Sequence, residues 1–224
     1  MTKIAMWSGP RNISTALMRS FENRPDTYVS DEPFYAHYLQ TTKEKHPMYK
    51  EIIHDGNTSW NSIVKNITGS IPYNKNVWYQ KHMAQHNFQN KNLNWIEKMN
   101  NIFLIRNPKE VILSYIKKYE LINILQLGYI QQIYLINKIE SSLSIQPIII
   151  DSEDLLQNPK SILKKLCEKC NIPFYNEMLS WPKGPRKTDG IWGGFWYANV
   201  ESSTHFSSYS KNNNTLPLQY KNIF

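Results

Sequence analysis

Short apolar runs alternate along this chain with stretches of helical spacing, and the runs end in Gly, Pro, Arg or acidic residues. Residues 4–7 (Ile4, Ala5, Met6, Trp7) lead through Ser8-Gly9-Pro10-Arg11-Asn12 into Ser14-Thr15-Ala16-Leu17-Met18. That pattern predicts a strand, a tight loop and a helix reaching about Asn23. Residues 27–30, 77–80, 101–105 and 147–150 read as further strands. Val111, Ile112, Tyr115 and Ile116 recur at helical spacing behind Pro108, which predicts a helix over 109–119. One amphipathic helix is expected over 153–170, with Pro159 near its start and Asn171-Ile172-Pro173 as its stop. Residues 36–75 are polar and poorly periodic apart from a helix at 60–67, and are expected to cap a site. With no repeat and no long linker, the alternation points to one α/β domain over 1–224, a central parallel sheet flanked by helices.

The first loop carries the strongest chemical signal. A strand-loop-helix junction aims backbone N–H groups and the positive end of a helix dipole at one spot, and Arg11, Ser14 and Thr15 add donors there. It reads as an anion cradle, although a capped helix in any α/β protein has the same outline. It lacks the Lys-Ser/Thr pair of the GxxxxGK[ST] loop, because Asn12 and Ile13 follow Arg11, which argues against ATP hydrolysis. Other candidates stand at strand ends: Glu32 after the second strand, and His82 beside Lys81 after the third. Arg106 closes the fourth strand, with Ser114 about two helical turns on. In the tail, Arg186, Lys187 and Thr188 lie among Gly184, Gly190, Gly193 and Gly194, half of the chain's eight glycines. Such a segment is either a loop that wraps an anionic ligand, over about 182–205, or an ordinary basic surface loop.

Charge sharpens this picture. A net charge of +8 and a pI near 9.3 imply an anionic partner, while scattered rather than blocked lysines make nucleic acid an unlikely one. Residues 1–7 enter the loop without the apolar core of a signal peptide, and the apolar stretch 121–136 is broken by Gln126, Gln131 and Gln132, so it reads as a buried helix and not a membrane span. A cytoplasmic protein is expected. The two cysteines, Cys167 and Cys170, share a helical face with Leu163 and Leu166 and are read as core packing, so no metal site is implied.

Together, four segments in order resemble the sulfotransferase family, which moves a sulfuryl group from 3′-phosphoadenosine-5′-phosphosulfate (PAPS) to a hydroxyl or amine. Pro10-Arg11-Asn12-Ile13-Ser14-Thr15 is similar to the family's 5′-phosphosulfate loop. Arg106-Asn107-Pro108 with Ser114 resembles its 3′-phosphate clamp, and Glu153-Asp154-Leu155 with Asn158-Pro159 and Ile172-Pro173-Phe174 resembles a later family helix. Arg186-Lys187-Thr188 with Gly190 and Trp192 resembles the RKG loop that closes over the nucleotide. The resemblance implies a P-loop-like nucleotide-binding fold, donor contacts from Arg11 to Thr15, Arg106, Ser114 and Arg186 to Thr188, and no metal. It offers two bases: a Glu after the second strand, matched by Glu32 and slightly preferred, or a His, matched by His82. Ile13 replaces the family's usual Gly and is expected to keep a negative φ, because a β-branched residue resists the left-handed region. Ser152 replaces a Tyr expected beside the adenine. The alternative to an enzyme is a non-catalytic protein of this fold that binds the product nucleotide (PAP) or nucleic acid. Nothing in the sequence names the acceptor or the oligomeric state.

Overall fold

In the computed structural model, which describes residues 1–87 and 90–221, the apolar runs become the strands of one sheet. They are β1 (Thr2–Ser8), β2 (Thr27–Asp31), β3 (Val77–Met83), β4 (Asn100–Ile105) and β5 (Ile148–Asp151). Their order is β2-β3-β1-β4-β5, and every pairing is parallel. Parallel neighbours need crossovers, and the crossing helices cover both faces of the sheet. The central strand shows the consequence. Ile4 and Met6 pack on one side with Leu17, Phe21, Leu163 and Cys167, whereas Ala5 and Trp7 pack on the other with Phe34, Trp60, Trp95 and Leu135. The first group draws on α1 (Ser14–Glu22) and α8 (Pro159–Lys169), the second on α4 (Trp60–Thr68) and α6 (Tyr129–Leu143).

The helices differ in detail from the sequence reading. The segment 153–170 is two helices, α7 (Ser152–Gln157) and α8, because a residue before proline is driven out of the helical region, and Asn158 has φ −137° before Pro159. Helix α5 (Pro108–Tyr115) stops four residues short of 119. Residues 36–75 hold three helices rather than one: α2 (Tyr35–Thr42), α3 (Tyr49–Asp55) and α4. Tyr35, Tyr38, Leu39 and Ile52 bury against each other there, an apolar face hidden by tyrosine and histidine letters. In 121–136 the chain makes a tight turn at Ile124–Leu127 and a left-handed Gly128 before α6 begins. No helix among the described residues is long and apolar enough to cross a membrane.

Side chains alternate along β3, and this separates two neighbours that the sequence had paired. Lys81 points to the face shared with Met83, toward the strand-end cavity. His82 points the other way, where its ring stacks on Trp7 at 4.7 Å and lies 5.5 Å from Trp95. Burial pushes the His82 imidazole down to about 3. The unfolded chain therefore binds a proton that the folded one refuses between that value and about 6.5, so stability falls as pH drops through this window. Within it, His82→Leu is expected to flatten the plot of unfolding free energy against pH by about 1.4 kcal/mol per unit. Urea titrations at pH 7, 6 and 5 check this, and an unaltered slope refutes it.

A buried ion pair just after α1 holds this part of the chain to the segment after α8. Arg24 donates from Nε and Nη2 to the two oxygens of Asp26 at 3.0 Å each, and from Nη1 to the Pro173 carbonyl at 2.7 Å. Its guanidinium also lies 4.9 Å from the Tyr175 ring centroid. Removing one partner of such a pair strands the other, so Arg24→Ala is expected to cost about 3–5 kcal/mol in denaturant unfolding.

Candidate functional site

The loops after β1, β2, β3 and β4 meet beyond the carboxyl ends of the strands, around one cavity of about 640 Å³. Its floor is the first loop, Pro10 to Thr15. Close backbone approach fixes where that loop lies: a Cβ on Gly9 would sit 2.2 Å from the Leu127 carbonyl oxygen. Asn12, buried, donates from Nδ2 to the Leu104 carbonyl at 3.0 Å and so ties the loop to β4. Arg11 and Ile13 both adopt left-handed backbone, with φ 60° and 56°. The expectation of a negative φ at Ile13 is thereby corrected. The strain, about 1–2 kcal/mol, is offset by the Ile13 side chain packing on the main core. Left-handed residues alternating with others are the geometry of backbone anion nests, and α1 starts directly behind.

Two guanidiniums face this loop. Arg11 donates from Nε to Ser114 Oγ at 2.9 Å, and among the described residues no carboxylate lies within ion-pair distance of it. Arg106 donates from Nη1 to the Arg11 carbonyl at 2.9 Å, and from Nε and Nη2 to Glu110 Oε2 at 3.0 Å each. Burial, and then the nearby Arg106 charge, pull the Arg11 pKa below its ordinary value. An arriving anion relieves both penalties.

At the opposite end of the cavity stands Glu32, itself left-handed at φ 43°. Its Oε1 accepts from Lys81 Nζ at 2.7 Å, and the same ammonium donates to Asp31 Oδ1 at 2.8 Å and to the Tyr197 hydroxyl at 2.5 Å. That hydroxyl accepts from Trp192 Nε1 at 3.0 Å and donates to Asp31 Oδ2 at 2.7 Å. Burial raises the Glu32 pKa, and the Asp31 charge adds to the rise, while Lys81 opposes it. Lys81 itself lies above the ordinary lysine value, since its two carboxylates outweigh the burial that alone would lower it. His86 Nδ1 is 3.9 Å from Glu32 Oε2, but burial keeps that ring well below its ordinary pKa and neutral, so the contact is no ion pair at neutral pH. His46, held down to about 4 by burial, shares a 2.8 Å hydrogen bond with Tyr35. His46, His86 and Tyr35 line the cavity with Tyr115 and Trp196.

Of the residues singled out in the sequence, Arg11, Asn12, Ile13, Ser14, Thr15, Glu32, Arg106 and Ser114 line this one cavity. His82 does not, because strand alternation sends it into the core. Arg186, Lys187 and Thr188 do not line it either. Arg186 lies 3.6 Å from Glu22 Oε2 of α1 and donates to the Pro182 carbonyl, and the Thr188 hydroxyl also bonds Glu22. This loop is drawn to α1 because Arg19, buried there, clamps Asp189 with two hydrogen bonds of 2.6 Å. The sequence reading missed Lys81 and Tyr197 as one cluster with Glu32; its 182–205 segment does supply Ser202, Ser203 and His205 to the cavity wall, but it stopped short of Ser207, Ser208 and Tyr209, which continue that wall. The density of serine in that stretch was the available signal.

Comparison with known proteins bears on the family and the fold. A family model described as a sulfotransferase domain matches residues 2–217. Two solved structures share the fold: the sulfotransferase domain from the curacin biosynthetic pathway (TM-score 0.52, 18% identity, covering 85% of this chain and 81% of that one) and the sulfotransferase domain from the Synechococcus PCC 7002 olefin synthase (TM-score 0.55, 16% identity, 84% and 80%). Branched-chain-amino-acid aminotransferase-like proteins 1 and 2 of Arabidopsis thaliana are each 33% identical to it, over 98% and 100% of this chain. The chain spans only 39% of the length of either. With the model match running from β1 to the far side of the cavity wall, the chain belongs to the sulfotransferase domain family.

Proposed function

We propose that this chain transfers a sulfuryl group from PAPS to an acceptor hydroxyl or amine by in-line displacement. The observation that carries the reading is the shared cavity: Arg11, bonded to Ser114 and without a carboxylate partner among the described residues, stands with Arg106 at one end, and the Glu32 carboxylate at the other. The two guanidiniums suit a donor with an anionic group at each end of an adenosine, and the carboxylate suits an acceptor that gives up a proton. When bound, PAPS supplies the activated sulfuryl group. Arg11, the hydroxyls of Ser14 and Thr15, and the amides around Asn12 and Ile13 hold the 5′ end and neutralise the charge that develops there, as fixed donors do in phosphoryl transfer. Arg106 and Ser114 hold the 3′-phosphate. Glu32 accepts the acceptor's proton, and its raised pKa brings it nearer the working pH of a general base. Lys81 fixes the orientation of that carboxylate through Oε1, leaving Oε2 on the side of His86. We prefer Glu32 to His82 because the cavity includes the first and not the second. The rival reading, a nucleotide-binding protein without transfer activity, draws on Ile13 standing left-handed where the family usually has Gly.

Calorimetric titration with PAP, beside ADP and ATP with magnesium, tests the donor site. PAP is expected to bind selectively, and Arg106→Ala to weaken it by about 1.5–3 kcal/mol, roughly tenfold to a hundredfold. An unchanged dissociation constant removes Arg106 from the site. Glu32→Gln is expected to lower turnover of labelled PAPS by about 10²–10⁴ while PAP still binds. For the wild type, turnover rises with pH through a limb above the usual carboxylate range, since the base acts only when ionised. Selective PAP binding without turnover on a broad panel of acceptors would establish the rival.

A further inference from the structure

The tail beyond the short helix at Ala198–Glu201 runs along one wall of the cavity, pinned at two places. At the near end His205 bridges to Ser180, the Trp181 amide donates to the Thr204 carbonyl at 2.8 Å, and Phe206 is buried with its ring 5.0 Å from Trp181. At the far end Leu216 and Tyr220 pack on Val111, Ile112 and Tyr115, of which the three lie on α5. Ser207, Ser208 and Ser210 lie between these anchors, exposed and lining the cavity, and their side chains make no hydrogen bond among the described residues. Tyr209, in the same run, donates its hydroxyl to Glu110 Oε1 at 3.0 Å. Glu110 accepts from Arg106 through its other oxygen, so one buried carboxylate links the strap to the guanidinium beside the first loop.

We propose that this strap, residues 207–210, is the wall that binds the 3′-phosphate end of the donor nucleotide, with Tyr209 positioning Arg106 through Glu110. It takes the place that family resemblance gave to Arg186 and Lys187. The assignment rests on the donor reading above. Three observations support it. Free hydroxyls line the cavity at the strap, hydroxyls and amides being good donors to phosphate oxygens. The strap reaches Arg106 through a single carboxylate. The Arg186 loop is meanwhile engaged with Glu22 and Arg19 on α1. Tyr209 acts as a positioning residue, whereas the serines are contact residues.

Titration with PAP and with AMP, which lacks the 3′-phosphate, tests this on the wild type, Tyr209→Phe, the triple variant Ser207→Ala/Ser208→Ala/Ser210→Ala, and Lys187→Ala. Both strap variants are expected to bind PAP about five- to tenfold more weakly, the loss of one or two hydrogen bonds, while AMP affinity moves less than about twofold. Thermal unfolding of the ligand-free variants monitors the fold, and Tyr209→Phe keeps the ring in place should the triple variant fail to fold. Equal losses for PAP and AMP, no loss in either strap variant, or a loss in Lys187→Ala alone would overturn the assignment while leaving the donor site intact. A wild type that binds neither nucleotide overturns the donor reading and the strap with it.

Discussion

Arg11 and Arg106 are held at the ends of neighbouring strands, and among the described residues a single carboxylate, Glu110, serves the pair. Two partly buried guanidiniums repel each other and lose hydration, and the lowered Arg11 pKa registers both costs. Neither residue can relax away. The β1–β4 pairing sets the strand ends, the Asn12 bond to the Leu104 carbonyl ties one loop to the other strand, and the Gly9 approach to Leu127 leaves no room behind. The stability of the two packed core faces therefore sustains two like charges held close together.

The other end of the cavity reverses the sign. Asp31 and Glu32 share one ammonium, Lys81, and the Tyr197 hydroxyl donates to one of the two carboxylates. Positive charge in excess near the first loop and negative charge in excess near β2 give the site a direction. A ligand whose anionic part lies at Arg11 presents its other reacting partner to a carboxylate that burial has made more basic. The same burial keeps His46 and His86 neutral, so the wall beside Glu32 is aromatic and uncharged rather than cationic.

The sheet was legible because a central parallel strand is apolar on both sides, and residues 4–7 are such a run; the end of β4 at Arg106 was marked in the same way. Site residues that follow strand ends, Arg11, Glu32 and Arg106, could be placed from that alone. Lys81 and His82 show where the letters stop helping: adjacent in sequence, they face opposite sides of the sheet, and only the register of β3 decides which one meets the cavity. The Arg186 loop lies away from the cavity lining for a different reason. Its motif matched, but Asp189 three residues on is captured by a buried arginine of α1, a tertiary ion pair with no local signature. Helices α2 and α3 escaped notice because α2 buries Tyr35, His37 and Tyr38 beside Leu39, and α3 fully buries only Ile52.

The bond between Lys81 and Tyr197 joins residues 116 apart, and that between Tyr197 and Asp31 joins residues 166 apart. During synthesis Asp31, Glu32 and Lys81, at or just past strand ends, leave the ribosome long before their hydroxyl and indole partners exist, and the long closure makes this corner slow to assemble. A growing chain therefore carries three charged groups poised for burial without the residues that cover them. Completion of this corner is a late event, and a chain stopped before residue 197 lacks the Tyr197 side of that cluster altogether.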